Sequence, residues 1–205
     1  MGRSPTNSKQ KLLDTANDLI WQSSYGSVSV DDICTAADVK KGSFYYYFPS
    51  KAELAVAVME QAYLAFESGI NDVFDDDISP TTRFENLAEF IYNKQQLAFD
   101  KYGRVCGCPF ASLGSEMAGN NEMIQQKADE IFRRQGSIFA SSIEEMIALG
   151  QLAADTDVDM TSSHMLSFIL GQLMMARIQN DLSSLKHELR RGLLQTLELS
   201  HEEVS

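Results

Sequence analysis

Positive charge is scarce in this chain: 17 lysines and arginines stand against 29 aspartates and glutamates, leaving a formal net charge of -12. Such a balance repels a polyanion over most of the surface and excludes a protein that wraps nucleic acid nonspecifically. Cysteine is scarce too, and three in 205 residues, an odd number, do not build a disulfide framework. No apolar run reaches the roughly 18 residues that a membrane-spanning helix needs. The stretch from Met1 to Tyr25 is polar and charged where a secretory signal would be apolar. The expectation is a cytoplasmic protein with no membrane partner.

Chemistry is thinly represented as well. Cys106-x-Cys108 with a distant His164 lacks the spacing of a structural zinc site, and His187 and His201 read as surface residues. The chain offers no serine, histidine and acid arrangement and no glycine-rich phosphate loop. Neither metal nor cofactor is expected, nor any catalytic residue. Strand alternation, internal repeats and low-complexity tracts are also missing.

Helical periodicity runs from end to end. Lys9 to Ser24 carries Leu12, Leu13, Ala16, Leu19 and Ile20 at spacings of three and four, and Tyr25-Gly26 closes it. A long helix is expected from Lys51 to about Asp75, with Gly69 as a bend in it, then helices over Pro80 to Asp100, Pro109 to Met117 and Glu122 to Leu149. A strongly apolar helix follows from Asp159 or Thr161. Leu182 to Leu199 closes the chain with Leu185, Leu189, Leu193 and Leu197 every four residues. The fold class is all-α, divided into residues 1–50 and 51–205.

The most informative segment lies between Ser29 and Lys51. Ser29 precedes Val30, Asp31, Asp32 and Ile33, so its hydroxyl can cap a helix whose first turn carries two carboxylates. Ile33, Ala36 and Ala37 give that helix one apolar face, and Asp38-Val39 makes a turn. A second helix runs from Lys41 to about Tyr47, in which Phe44 and Phe48 share a buried face while Lys41, Ser43, Tyr45 and Tyr47 point elsewhere. Tyr46 is open to packing or to contact. Pro49 ends the helix and Ser50 caps the next. Three adjacent tyrosines cannot all enter one core, so this is a helix-turn-helix with an available face.

The segment Lys41-Gly-Ser-Phe-Tyr-Tyr-Tyr-Phe-Pro-Ser-Lys51 resembles the DNA-binding signature of the TetR family of bacterial one-component regulators. Lys40 stands where that family usually has a small polar cap, and Tyr47 where it often has histidine. A reading helix docks with its N-terminal end near the base edges, so Lys41, Gly42 and Ser43 are the expected readers. Gly42 lets the backbone approach. Tyr45, Tyr46, Tyr47 and Lys51 are expected on phosphates, which position without specifying sequence, and Ser29 completes the candidate DNA-binding set. Residues 1–51 hold six Lys or Arg against five acids, so this part is +1 while the remainder carries -13. Arg3, Lys9 and Lys11 are either further contacts from the N-terminal arm or a solvated tail.

The resemblance implies a homodimer on a palindromic operator in double-stranded DNA, released by a small-molecule inducer. The last two helices would form the four-helix interface, with Gly171 and Gly192 allowing close approach, and two reading helices would sit about 34–36 Å apart. Phe66, Ile70, Phe99, Tyr102, Phe110, Leu113, Met117, Phe132, Phe139, Met165 and Phe168 are the candidate pocket lining, with Phe84 and Met174 beside them and Glu116, Gln172 and Arg177 as polar groups among them. For any single one of them ordinary core packing is the default reading. Cys108 precedes a helix N-terminus, where a thiol can become reactive, so Cys108 with Cys106 is a candidate oxidant or electrophile sensor; the alternative is a buried structural cysteine. The function expected is a ligand-responsive repressor, with a protein-binding adaptor or a helical enzyme as the other classes.

Overall fold

The computed structural model describes residues 5–199, and the side chains of residues 7–197. Arg3 and His201 lie outside them. Nine α-helices and no strand are present among the described residues: α1 Pro5–Gln22, α2 Val30–Ala37, α3 Lys41–Tyr47, α4 Lys51–Val73, α5 Pro80–Tyr102, α6 Pro109–Met117, α7 Glu122–Ala148, α8 Val158–Gln179 and α9 Leu185–Leu199. The all-α expectation holds, with most helix ends within a few residues of those predicted. No helix among the described residues is long and apolar enough to cross a membrane.

The chain forms two compact units. One takes residues 1–65 with 109–129, the other 66–108 with 130–205. In the first unit α1 packs on α2 and α3, and α2 on α3. Their core comprises Leu12, Leu13, Ala16, Val28, Ile33, Cys34, Ala37, Phe44 and Phe48, joined by Leu54 and Val58 of α4. One expectation is corrected here: Ala36 is exposed, and Cys34 fills the apolar face of α2 beside Ile33 and Ala37. The same unit contains α6 and the start of α7. Tyr63 meets Phe110 edge to face at 6.1 Å, and a Cβ on Gly114 would lie 2.8 Å from the Ala128 Cβ, so only glycine permits that approach.

In the second unit α9 packs against α5 and α8. Leu185, Leu189, Leu193 and Leu197 are all buried in this core, with Phe84, Leu87, Phe139, Ile143 and Met165. Gly192 makes its close approach inside the chain, since a Cβ there would fall 2.0 Å from the Phe168 ring, whereas Gly171 faces open space. Gly69 produces no break, because α4 runs through it; its missing side chain admits the Phe90 ring, which a Cβ would meet at 2.6 Å. Arg83 is buried at 3 % exposure. Its guanidinium is held by the Asp75 and Asp76 carbonyls, the Ser142 hydroxyl and the Glu145 carboxylate, so the buried charge is paired.

Candidate nucleic-acid interface

Ser29 is the cap of α2 and forms a full capping box. The Asp32 N–H donates to Ser29 Oγ at 3.1 Å, and the Ser29 N–H and hydroxyl donate to Asp32 Oδ2 at 2.8 and 2.6 Å. Those hydrogen bonds hold the Asp32 carboxyl below its ordinary pKa. At the other end Asp38 adopts a left-handed conformation with φ 52°. That reverses the chain while the Val39 N–H donates to the Cys34 carbonyl at 3.0 Å. Lys40 then precedes α3 with no side-chain cap. Local chemistry thus marks the start of α2 and the turn after it, while the short, uncapped α3 depends on packing.

Packing sets the rotation of α3. Phe44 is fully buried and Phe48 nearly so, which turns Tyr45 and Tyr46 outward at 50 % and 79 % exposure. Tyr47 is half-buried against the head core. Lys41 is exposed, and its ammonium pairs with the Asp31 carboxylate at 2.7 Å. That hydrogen bond raises the Lys41 pKa. Around Gly42 no atom lies within 4 Å of where a Cβ would stand, so its backbone is open to an incoming molecule. Ser43 is partly exposed beside it. One edge of α3 thus presents Lys41, Gly42, Ser43, Tyr45 and Tyr46 together.

Lys51 is employed inside the chain. Its ammonium donates to the Tyr25 and Val28 carbonyls, both at 2.8 Å, and stands 3.9 Å from the centre of the Tyr25 ring. Burial lowers its pKa, opposed by the nearby Glu116 charge. Glu116 is not a pocket residue: it accepts the Tyr25 and Gly26 N–H groups at 2.9 and 2.7 Å. No short-range signal in the sequence reveals this pairing, because the partners are about ninety residues apart. Lys9 is exposed, with its ammonium 5.9 Å from the Phe48 ring.

The candidate pocket residues divide between the two units. Ile70, Phe139 and Met165 are buried in the core of the second, with Phe66, Phe99 and Phe168 packed against them. Tyr102 and Phe132 are half-buried in that unit. Phe110, Leu113 and Met117 belong to the first unit, the first two buried. Met174 is 41 % exposed and does not join that core. Cys106 is buried and its thiol pKa is pushed up by that burial, the reverse of what a reactive thiolate requires. Cys108 is only partly buried. Between them Gly107 has φ 70°, and its N–H and carbonyl are both held by the buried Gln95 amide at 3.1 and 3.2 Å. Among the described residues no cluster of His, Cys, Asp or Glu could hold a metal ion.

Comparison with known proteins agrees with this geometry. Residues 12–58 match the bacterial regulatory proteins of the tetR family, and residues 79–191 match the tetracyclin repressor-like C-terminal domain. The transcriptional regulator AcuR of Cereibacter sphaeroides is 30 % identical over 154 residues, 73 % of this chain and 67 % of that protein. The transcriptional repressor NemR of Escherichia coli is 24 % identical over 138 residues, 67 % of this chain and 68 % of that one. Its reduced form superposes with a TM-score of 0.76 at 22 % identity, covering 90 % of this chain and 94 % of that. A regulatory protein TetR from Rhodobacter sphaeroides gives a TM-score of 0.78 at 26 % identity, over 91 % and 97 %. Regulation, not catalysis, is the work of these proteins, and the chain belongs to the TetR family of helix-turn-helix transcriptional regulators.

Proposed function

We propose that this regulator is a ligand-responsive repressor that binds a palindromic operator as a homodimer, with residues 1–50 as its DNA-binding part and 51–205 as its ligand-binding and dimerisation part. The observation that carries the reading is the edge of α3, where burial of Phe44 and Phe48 leaves a lysine, an open glycine and two tyrosines facing outward. Lys41, Gly42 and Ser43 meet base edges, and Tyr45, Tyr46 and Tyr47 meet phosphates. Ser29 and Lys51 serve the same interface by holding the head in shape.

Support for the dimer comes from α8. Met160, Gly171, Met174, Met175 and Ile178 fall on one stripe at 3.6 residues per turn, and the four large ones are 41–68 % exposed. Met174, Met175 and Ile178 form an exposed apolar patch toward the C-terminal end of that stripe, with exposed Ser163, His164 and Ser167 separating it from Met160, and an exposed apolar patch of that kind suits a protein interface. For the inducer, a small molecule among the aromatic residues of the second unit displaces α4, which supplies Leu54 and Val58 to one core and Ile70 to the other. A thiol-reactive inducer would act on Cys108, the more accessible of the two neighbouring cysteines. Unchanged operator release by the Cys108→Ser variant on exposure to peroxide or quinone would remove the thiol version.

The decisive experiment is selection of binding sites from random duplex DNA at a fixed salt concentration. Enrichment of a palindrome is expected. A folded protein that enriches no sequence overturns the operator reading.

A further inference from the structure

The turn between α1 and α2 is fixed by ions on both sides. The Tyr25 and Gly26 N–H groups, consecutive donors beyond the end of α1, both point to the Glu116 carboxylate at 2.9 and 2.7 Å. The Tyr25 and Val28 carbonyls receive the Lys51 ammonium, at 2.8 Å each. Val28 leads directly into the Ser29 cap of α2, and α2 carries α3 through the Asp38 turn. Two further facts single out Glu116. It sits in the last turn of α6, where the helix dipole disfavours a carboxylate, so local helix stability does not explain it. Position 26 is a glycine whose added Cβ would stand 3.1 Å from Glu116 Oε1, so the missing side chain leaves the carboxylate room to reach both amides.

We infer that Glu116, through its paired hydrogen bonds to the Tyr25–Gly26 turn, is a positioning residue for operator recognition, clamping the helix-turn-helix to α6. This rests on the operator-binding reading above. Charge-assisted hydrogen bonds to two successive amides are directional, so the clamp sets orientation where a bare charge would not. Base-edge contacts depend on that orientation, whereas phosphate attraction tolerates its loss. Selectivity is therefore what the clamp controls. A negative charge acting only by repulsion would instead weaken all duplexes alike.

The test uses the full-length protein, the duplex enriched by selection and a random duplex of equal length, at one salt concentration. E116A is expected to lower affinity for the enriched duplex on the order of tenfold, the scale of one lost charged contact. Affinity for the random duplex should stay level or rise slightly. E116Q retains one acceptor oxygen and should recover part of the selectivity. Amide hydrogen exchange at Tyr25 and Gly26 should quicken in E116A. An unchanged ratio between the two duplexes, equal behaviour of E116A and E116Q, or fast exchange at both amides in the wild type would each overturn the inference. If E116A does not fold, E116Q alone decides it: a loss of selectivity supports the clamp and an unchanged ratio refutes it. Failure of the wild type to enrich any duplex would refute the operator reading instead, which the exchange measurement does not depend on.

Discussion

α3 and α8 both place large apolar groups in water, and the two exposures differ in kind. On α3 the outward residues are Tyr45 and Tyr46, at 50 % and 79 % exposure, beside a lysine. On α8 they are Met174, Met175 and Ile178, clustered within five residues and with no hydroxyl among them. A tyrosine carries a ring that packs and a hydroxyl that can donate, so it is content at a wet, phosphate-lined surface. Methionine and isoleucine offer only area, which is recovered when another apolar face covers them. The two exposed surfaces thus suit different partners: a polyanion at the tyrosine edge and, in the dimer proposed above, a second copy of the chain at the apolar patch.

The largest effect expected tests the inner side of α3. Phe44→Ala removes a fully buried ring and should destabilise the head by about 3–5 kcal/mol, while Tyr46→Ala on the same helix should stay within about 0.5 kcal/mol. Thermal unfolding followed by circular dichroism measures both. Equal losses would mean that Tyr46 packs as core and that the outward edge of α3 is misassigned.

Next comes α8. Ile178→Glu places a charge on the exposed apolar stripe and should weaken a dimer by about 2 kcal/mol, the scale of a central interface residue. Sedimentation velocity across a concentration series reads it directly. A wild-type protein that stays monomeric at every concentration would break the comparison, leaving the stripe without its partner.

How far these surfaces were legible beforehand depends on how local their causes are. Ser29, Asp38 and Pro49 act within four residues of themselves, so α2 and α3 could be delimited from the sequence alone. The face of α2 was harder: Ala36 fits a small-residue stripe with Ile33 and Ala37, and only packing places it outward. Glu116 read as a pocket residue, because its amide partners in the head lie about ninety positions away. Gly192 read as a dimer contact for the same reason, since nothing near it in sequence announces the Phe168 ring. Arg83 gave no sign of burial, because its pairing with Glu145 spans 62 positions.

Of the predictions on the α3 edge itself, Lys41→Ala is expected to cost about 1–3 kcal/mol of discrimination at one operator position if the lysine reads a base. The same change should shrink the salt slope by about 0.9 if the ammonium instead neutralises a phosphate. Because Asp31 holds that ammonium in the free protein, Asp31→Asn should strengthen binding in either case. Titrations at several salt concentrations separate the two roles. Affinity that ignores both substitutions would remove Lys41 from the interface.

The smallest effect on the fold is expected at Gly42, and it is the one that best separates folding from reading. An alanine there meets no atom within 4 Å, and replacing a helical glycine by alanine ordinarily stabilises by up to about 1 kcal/mol. If the glycine were present for the fold, Gly42→Ala would lower the melting temperature. If it is present so that DNA can approach the backbone, the variant should melt at the same temperature or slightly higher and yet bind its operator less tightly. Stability and affinity moving in opposite directions at one residue is an outcome that ordinary packing does not produce, because a methyl group in open space has nothing to disturb until a second molecule arrives to fill it.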